Sequence, residues 1–345
     1  MSKTKRFVIF VWMVLASFIT SCQAEGLTAQ PTLPPASPVM ESVVVTSSPT
    51  QMDAVSVNST ATQVPSMTST STPAPTGTAT PVPAIRFAVI GDYGSGGEAE
   101  ARVAELVKSW NPDFVITLGD NNYPSGSAET IDDHIGKFYH EFIYPYKGRW
   151  GEGASENRFF PSLGNHDWMT RQGAPYLDYF TLPGNERYYD FVWKPVHFFV
   201  LNSNDSEPDG VGRSSAQAAW LQQALAASTE TWQVVYFHAA PYTSGYHGST
   251  TWMQWDFDQW GVDAVLAGHS HVYERLEVNG VFYFVNGLGG GGIYDFGEPL
   301  LSSLVRYNRK HGAMLVTADD EKMVFQFINI DNEVIDQFVL RGIAP

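Results

Sequence analysis

Five apolar runs in this chain each break off at a short polar motif, and no other feature restricts its fold as tightly. The motifs are Gly91-Asp92-Tyr93-Gly94, Gly119-Asp120-Asn121-Asn122-Tyr123, Gly164-Asn165-His166-Asp167, Val235-Tyr236-Phe237-His238 and Gly268-His269-Ser270-His271. The runs leading to them cover residues 85–90, 114–118, 159–163, 234–237 and 264–267. A short apolar run bounded by a turn signal reads as a buried strand. Each polar side chain therefore stands at a strand tip, where it is held rigidly and can point into a shared cleft.

The segments between the runs set the fold class. Ala99, Val103, Leu106, Val107 and Trp110 recur at helical spacing, and Asn111-Pro112 stops the helix. Residues 196–201 form a further strand, and Ala218, Leu221 and Leu225 mark a helix face within 215–227. Strands alternating with helices, with polar motifs at the strand ends, indicate layered α/β. After His271 the pattern turns to β. Runs at 274–278 and 281–285 flank Asn279-Gly280, a type I′ hairpin signal, and 313–317, 323–328 and 334–340 follow. Two packed mixed sheets with helices outside, a four-layer α/β/β/α sandwich, fits this order.

Not all of the 345 residues belong to that domain. Residues 1–21 carry Lys3, Lys5 and Arg6 and then an apolar run over 7–19, the layout of a lipoprotein signal peptide. Ile19-Thr20-Ser21-Cys22 resembles a bacterial lipobox, which makes Cys22 the expected lipidation site. As the single cysteine, Cys22 has no partner in the chain for a disulfide. From 22 to 84 the chain is a Ser/Thr/Pro-rich stalk without Lys or Arg, too poor in apolar surface to fold. Residues 85–345 remain, enough for one well-buried domain. The expectation is an extracytoplasmic protein of the bacterial cell envelope, facing outward on an N-terminal lipid or secreted.

The formal charge is −16, and removing Lys3, Lys5 and Arg6 with the leader leaves −19. So acidic a chain is a poor nucleic-acid binder. An anionic phosphate substrate is still admissible where bound metals dominate the local field.

Carboxylate, amide oxygen, phenolate and imidazole make a mixed O/N donor set suited to Fe, Zn or Mn. Two such ions roughly 3.5–4 Å apart clamp an in-line displacement at phosphorus. The motif order resembles the calcineurin-like metallophosphoesterases, and more narrowly their purple acid phosphatase branch. The broad superfamily usually has Asp-x-His in its first motif, where this chain has Gly94. The purple branch places a Tyr three residues after the second-motif Asp, and Tyr123 stands there. Gly268-His269-Ser270-His271-Val272-Tyr273-Glu274-Arg275 is close to that branch's GHxHxYER.

The resemblance implies a partition of ligands. Asp92, Asp120, Tyr123 and His271 would hold a first ion, the phenolate and carboxylates implying Fe(III). Asp120, Asn165, His238 and His269 would hold a second, Fe, Zn or Mn, with Asp120 bridging. His166 would contact substrate phosphate, with Asp167 beside it to orient the imidazole. His247, on the loop after His238, would assist the leaving group. Related bacterial sequences read His-His-Pro-Pro where this chain has His238-Ala239-Ala240-Pro241, so a neighbour of the ligand is changed. Gly287–Gly292 lacks the Lys-Ser/Thr of a P-loop and reads as a close-approach loop near the cleft.

The implied activity is hydrolysis of a small phosphomonoester by a metal-bound hydroxide. The alternatives are a phosphodiesterase or nucleotidase on the same core, with residues 121–156 shaping the choice, and a surface-anchored binding protein with a structural metal site.

Overall fold

The structure is a computed structural model and describes residues 84–342. The leader, Cys22 and the stalk up to residue 83 lie outside the described residues.

The thirteen strands are β1 (Ile85–Ile90), β2 (Phe114–Thr117), β3 (Phe159–Pro161), β4 (Tyr189–Trp193), β5 (Val196–Val200), β6 (Trp232–Ala239), β7 (Ala264–Gly268), β8 (Tyr273–Val278), β9 (Val281–Asn286), β10 (Ser303–Tyr307), β11 (Gly312–Ala318), β12 (Lys322–Asn329) and β13 (Val334–Arg341). The helices are α1 (Glu98–Ser109), α2 (Lys137–Tyr139), α3 (Asn165–Met169), α4 (Ala174–Tyr179) and α5 (Ala216–Ala227). One sheet runs β13-β12-β11-β1-β2-β3 and the other β10-β8-β9-β7-β6-β5-β4. In the first, β1, β2 and β3 are parallel and β11 joins β1 antiparallel. In the second, β5, β6, β7 and β9 are parallel, with β4 antiparallel beside β5.

Side-chain alternation explains why the central strands read as unbroken apolar runs. Phe198, Val200, Val234, Tyr236, Ala264 and Leu266 belong to the core shared with the first sheet. Their neighbours Phe199, Leu201, Val235, Phe237, Val265 and Ala267 pack with Leu221 and Leu225 of α5. Both faces are covered, so residues 198–201, 234–237 and 264–267 are apolar throughout. Across the seam, Phe198 meets Phe87 and Phe114 edge-on at 5.1 and 5.4 Å, and Tyr236 Oη donates to the carbonyl of Phe160 at 2.9 Å. Two mixed sheets with flanking helices are the architecture the sequence implied.

Local signals are visible too. Ser215 caps α5 by accepting from Ala218 N at 3.1 Å. Asn279 and Gly280 have φ of 53° and 84°, as a type I′ turn requires. The edge strands β4 and β10 were not anticipated. Among the described residues no helix is long and apolar enough to cross a membrane.

Candidate metal centre

Parallel strands place their carboxyl ends together, and the crevice there is where α/β sheets hold ligands. Asp92 follows β1, Asp120 follows β2, and Asn165 opens α3 after β3. His238 lies near the end of β6, and His269 and His271 follow β7. Both sheets therefore contribute. Asp92, Asp120 and His269 adopt left-handed backbone conformations, with φ of 54°, 51° and 68°. Such conformations cost non-glycine residues roughly 1–3 kcal/mol and concentrate at functional sites.

On one side, Tyr123 Oη lies 3.0 Å from His271 Nε2 and 3.4 Å from Asp92 Oδ1. Asp92, Asp120 and His271 can bring one donor atom each within 4.8 Å of one another. His271 Nδ1 bonds the carbonyl of Gly292, so Nε2 is left facing the cluster. Burial pushes the Tyr123 phenol far above its ordinary value, and the Asp92 and Asp120 carboxylates push it further. Burial would also raise the Asp92 carboxyl, but His271 and its neighbours outweigh that and hold it low.

On the other side, His238 Nδ1 donates to the carbonyl of Leu118 at 2.8 Å. Its Nε2 faces Asn165 Oδ1 at 2.9 Å, His269 Nδ1 at 3.1 Å and Asp120 Oδ1 at 3.4 Å. Burial and the adjacent His238 hold the His269 imidazole near a pKa of about 3, so it is neutral with a lone pair available. Oxygen and ring-nitrogen atoms able to bind a cation thus converge in two adjoining groups. A cation in each satisfies that geometry, and the mixed donor set fits Fe, Zn or Mn. Glycines permit the approach: a Cβ on Gly164 would lie 2.1 Å from Asp120 Oδ1. The Gly287–Gly292 loop lies against the same cluster, with Gly291 N donating to the carbonyl of Asp92 at 2.8 Å.

Residues 85–273 match the family model for calcineurin-like phosphoesterases. The chain belongs to that family. Among curated relatives, the purple acid phosphatase of Glycine max is 30% identical over 59% of this chain and 46% of its own length. The tartrate-resistant acid phosphatase type 5 of Mus musculus is 26% identical over 66% of this chain and 76% of its own. The chain thus spans about half the length of the soybean relative and three quarters of the murine one. Among solved structures, a purple acid phosphatase from yellow lupin (Lupinus luteus) seeds aligns with TM-score 0.60 at 17% identity, covering 75% of this chain and 54% of the lupin one. GAP50, the anchor in the inner membrane complex of Plasmodium, also aligns at TM-score 0.60 and 17% identity, over 76% of this chain and 90% of that one. These two likenesses concern the fold.

Within this site, Gly94 has no room for the histidine common in the wider family. A Cβ there would lie 1.8 Å from the carbonyl oxygen of Asn121, on the stretch that carries Tyr123. His166 sits at the rim, its Nδ1 2.5 Å from the carbonyl of Pro124 and its Nε2 3.9 Å from Asp120 Oδ2. His247 is exposed and lies on the ring of His269, 4.2 Å between centroids.

Asp167 departs from expectation. It does not orient His166. Its carboxylate is buried and accepts from Gly164 N at 2.8 Å, Asn121 Nδ2 at 2.7 Å and Asn121 N at 3.1 Å. As the third residue of α3 it closes that helix start, the usual place for a capping acid. Burial and the nearby Asp120 charge raise its pKa to about 7.

Several contributors carried no sequence signal. Tyr294 stacks on His271 at 4.1 Å and 6°. A cavity of about 330 Å³ opens beside Asn165, His238 and His269, walled by Ser203, Asp205 and Trp252 among others. Ala239, at the position that departs from His-His-Pro-Pro, lines it too.

Proposed function

We propose that this phosphoesterase hydrolyses phosphomonoesters at a two-cation centre of purple-acid type. The observation that carries the reading is the convergence of His238 Nε2, Asn165 Oδ1 and His269 Nδ1 on one side of Asp120, with Tyr123, Asp92 and His271 on the other. Two cations bound there supply Lewis acidity for in-line displacement at phosphorus. Fe(III) at the Tyr123 side is supported by hard anionic donors, and Fe, Zn or Mn at the imidazole side by the nitrogen and amide donors.

The chain's own groups do the rest. His238 and His271 have their Nδ1 atoms tied to backbone carbonyls, which fixes each ring and aims Nε2 inward. His166, at the rim, is placed to hydrogen-bond a phosphoryl oxygen. His247 gives a proton to the departing alcohol oxygen as the P–O bond breaks and the electron pair moves to that oxygen. Water supplies the new oxygen on phosphorus. The cavity beyond His269 takes the leaving group. Its described wall contains the Asp205 carboxylate and no Lys or Arg, which favours a neutral or cationic leaving group over a second phosphate.

The proposal extends to location. Lys3, Lys5 and Arg6, the apolar run after them and Cys22 support a lipid-anchored protein of the cell envelope. The test of function is metal analysis of purified protein together with rates on a panel of monoesters and diesters. Two cations per chain and preference for monoesters are expected. Preference for diesters would move the reading to a phosphodiesterase, and inactivity with full metal content would move it to a binding protein.

A further inference from the structure

Glu274 and Arg275 end the last motif, and their partners differ. Arg275 pairs with Asp336 of β13, Nε to Oδ2 at 2.7 Å. Glu274 is fully buried and makes no ion pair among the described residues. Its carboxylate instead takes three hydrogen bonds from one short stretch. Thr243 Oγ1 and Ser244 N each donate to Oε2 at 2.8 Å, and Ser244 Oγ donates to Oε1 at 2.6 Å.

That stretch leads directly to His247. Thr243 Oγ1 accepts from Gly245 N at 3.0 Å, and the carbonyl of Ser244 accepts from Gly297 N at 2.7 Å. Gly245 is pressed onto Ser270, so closely that a Cβ would lie 2.7 Å from Ser270 Cβ. Gly248 N donates to the carbonyl of Gly245 at 2.9 Å, closing a turn around Tyr246 and His247. The His247 ring then rests on His269 with an interplanar angle of 25°.

We propose that Glu274 is a positioning residue, whose buried carboxylate clamps residues 243–248 so that the His247 imidazole is held over the metal-facing His269. A buried carboxylate is costly unless hydrogen-bonded, and the donors aimed at it come from this loop alone. One donor is a backbone N–H, so the clamp fixes the chain path as well as two side chains. With the turn at Gly245 and Gly248 closed, that path is transmitted to His247. The inference rests on the reading of His247 as proton donor to the leaving oxygen.

The test uses Glu274→Ala, Glu274→Gln, Ser244→Ala and His247→Ala, and each of the first three combined with His247→Ala. Turnover is measured on an alkyl phosphate and on nitrophenyl phosphate, with metal content and thermal unfolding followed for every variant. His247→Ala is expected to slow the alkyl ester about 100-fold and the nitrophenyl ester less, since a good leaving group needs little help from an acid. Glu274→Ala and Ser244→Ala should slow the alkyl ester about tenfold at unchanged metal content, and cost nothing further once His247 is gone. Glu274→Gln should recover most of the rate, because an amide oxygen at Oε2 keeps two of the three bonds and the amide N–H can donate to Ser244 Oγ in place of the third, a bond that Ser244→Ala cannot form. Equal losses with and without His247, or on both esters, would overturn the clamp. If Glu274→Ala does not fold, Ser244→Ala decides. If His247→Ala leaves the rate intact, the proton-donor reading fails separately. The clamp is then judged from histidine-labelled, zinc-loaded protein: the ring-shifted His247 signal should move toward that of free histidine in Ser244→Ala, and an unmoved signal overturns it.

Discussion

Tyr123 Oη and His271 Nε2 stand 3.0 Å apart, with Asp92 Oδ1 3.4 Å from the same phenol oxygen. Burial and two carboxylates hold that phenol protonated, so only a bound cation makes it a phenolate. If the cation is Fe(III), aerobically purified protein absorbs in the visible through phenolate-to-iron charge transfer. Tyr123→Phe is expected to abolish the band with the fold retained, read by absorbance and circular dichroism. A colourless wild-type protein fully active with zinc or manganese would defeat the iron assignment and leave the phosphoesterase fold untouched.

Gly94 cannot be returned to the wider family's histidine. Its missing Cβ would sit 1.8 Å from Asn121 O, and Tyr123 N donates to the carbonyl of Gly94 at 2.8 Å. Gly94→Ala should therefore destabilise the domain by about 3 kcal/mol or more, from overpacking against backbone that cannot yield. Chemical denaturation measures it. A shift under about 1 kcal/mol would show that the 121–123 stretch moves freely.

Glu100 gives a pH signature away from the centre. It is fully buried on α1, with Oε2 accepting from Gly96 N at 2.7 Å and Oε1 without a partner. Burial raises its pKa well above the ordinary value of 4.5. An acid raised on folding stabilises fully below its unfolded pKa, and that contribution is lost as pH rises through the folded value. Glu100→Gln removes the loss. The variant's melting temperature should equal that of the wild type near pH 4 and exceed it increasingly toward pH 8, by the equivalent of about 1 kcal/mol or more. A constant difference across that range contradicts the assignment.

Asp205 is the carboxylate in the wall of the cavity proposed to take the leaving group. Asp205→Lys should raise kcat/KM for monoesters with a second phosphate relative to neutral monoesters by about tenfold, through one charge reversal near the substrate. An unchanged ratio would remove Asp205 from specificity.

Cys22→Ala should abolish lipid attachment, followed by incorporation of labelled fatty acid. Labelling that persists in the variant would refute the lipobox reading.

Much of this site was legible because an apolar run that stops at Gly-Asp or Gly-His leaves few options for the chain. The tips of β1, β2 and β7 follow from that alone. Sorting ligands between two ions was not legible from spacing and came from resemblance. Asp167 was misread because adjacency in sequence suggested contact with His166. On a helix, neighbours i and i+1 do not face each other, and here one turns to the rim and the other beneath Asn121. Tyr294 and Glu274 act on residues more than twenty positions away, across turns that no local pattern encodes. Strands β4 and β10 are edge strands of partly exposed residues, where apolar contrast is weakest.

The first sheet is drawn from both ends of the domain, β1 lying between β2 and β11. In order of synthesis, every proposed ligand from Asp92 to His271 leaves the ribosome before Gly312. Until β11 arrives to pair Phe87 with Val316, the strand that carries Asp92 has one open edge. A nascent chain therefore displays all its donor atoms before it can fix them in place. Tight capture of the proposed ions would wait on that pairing, and a chain cut short before Gly312 would hold the full set of proposed ligands without a finished frame to aim them.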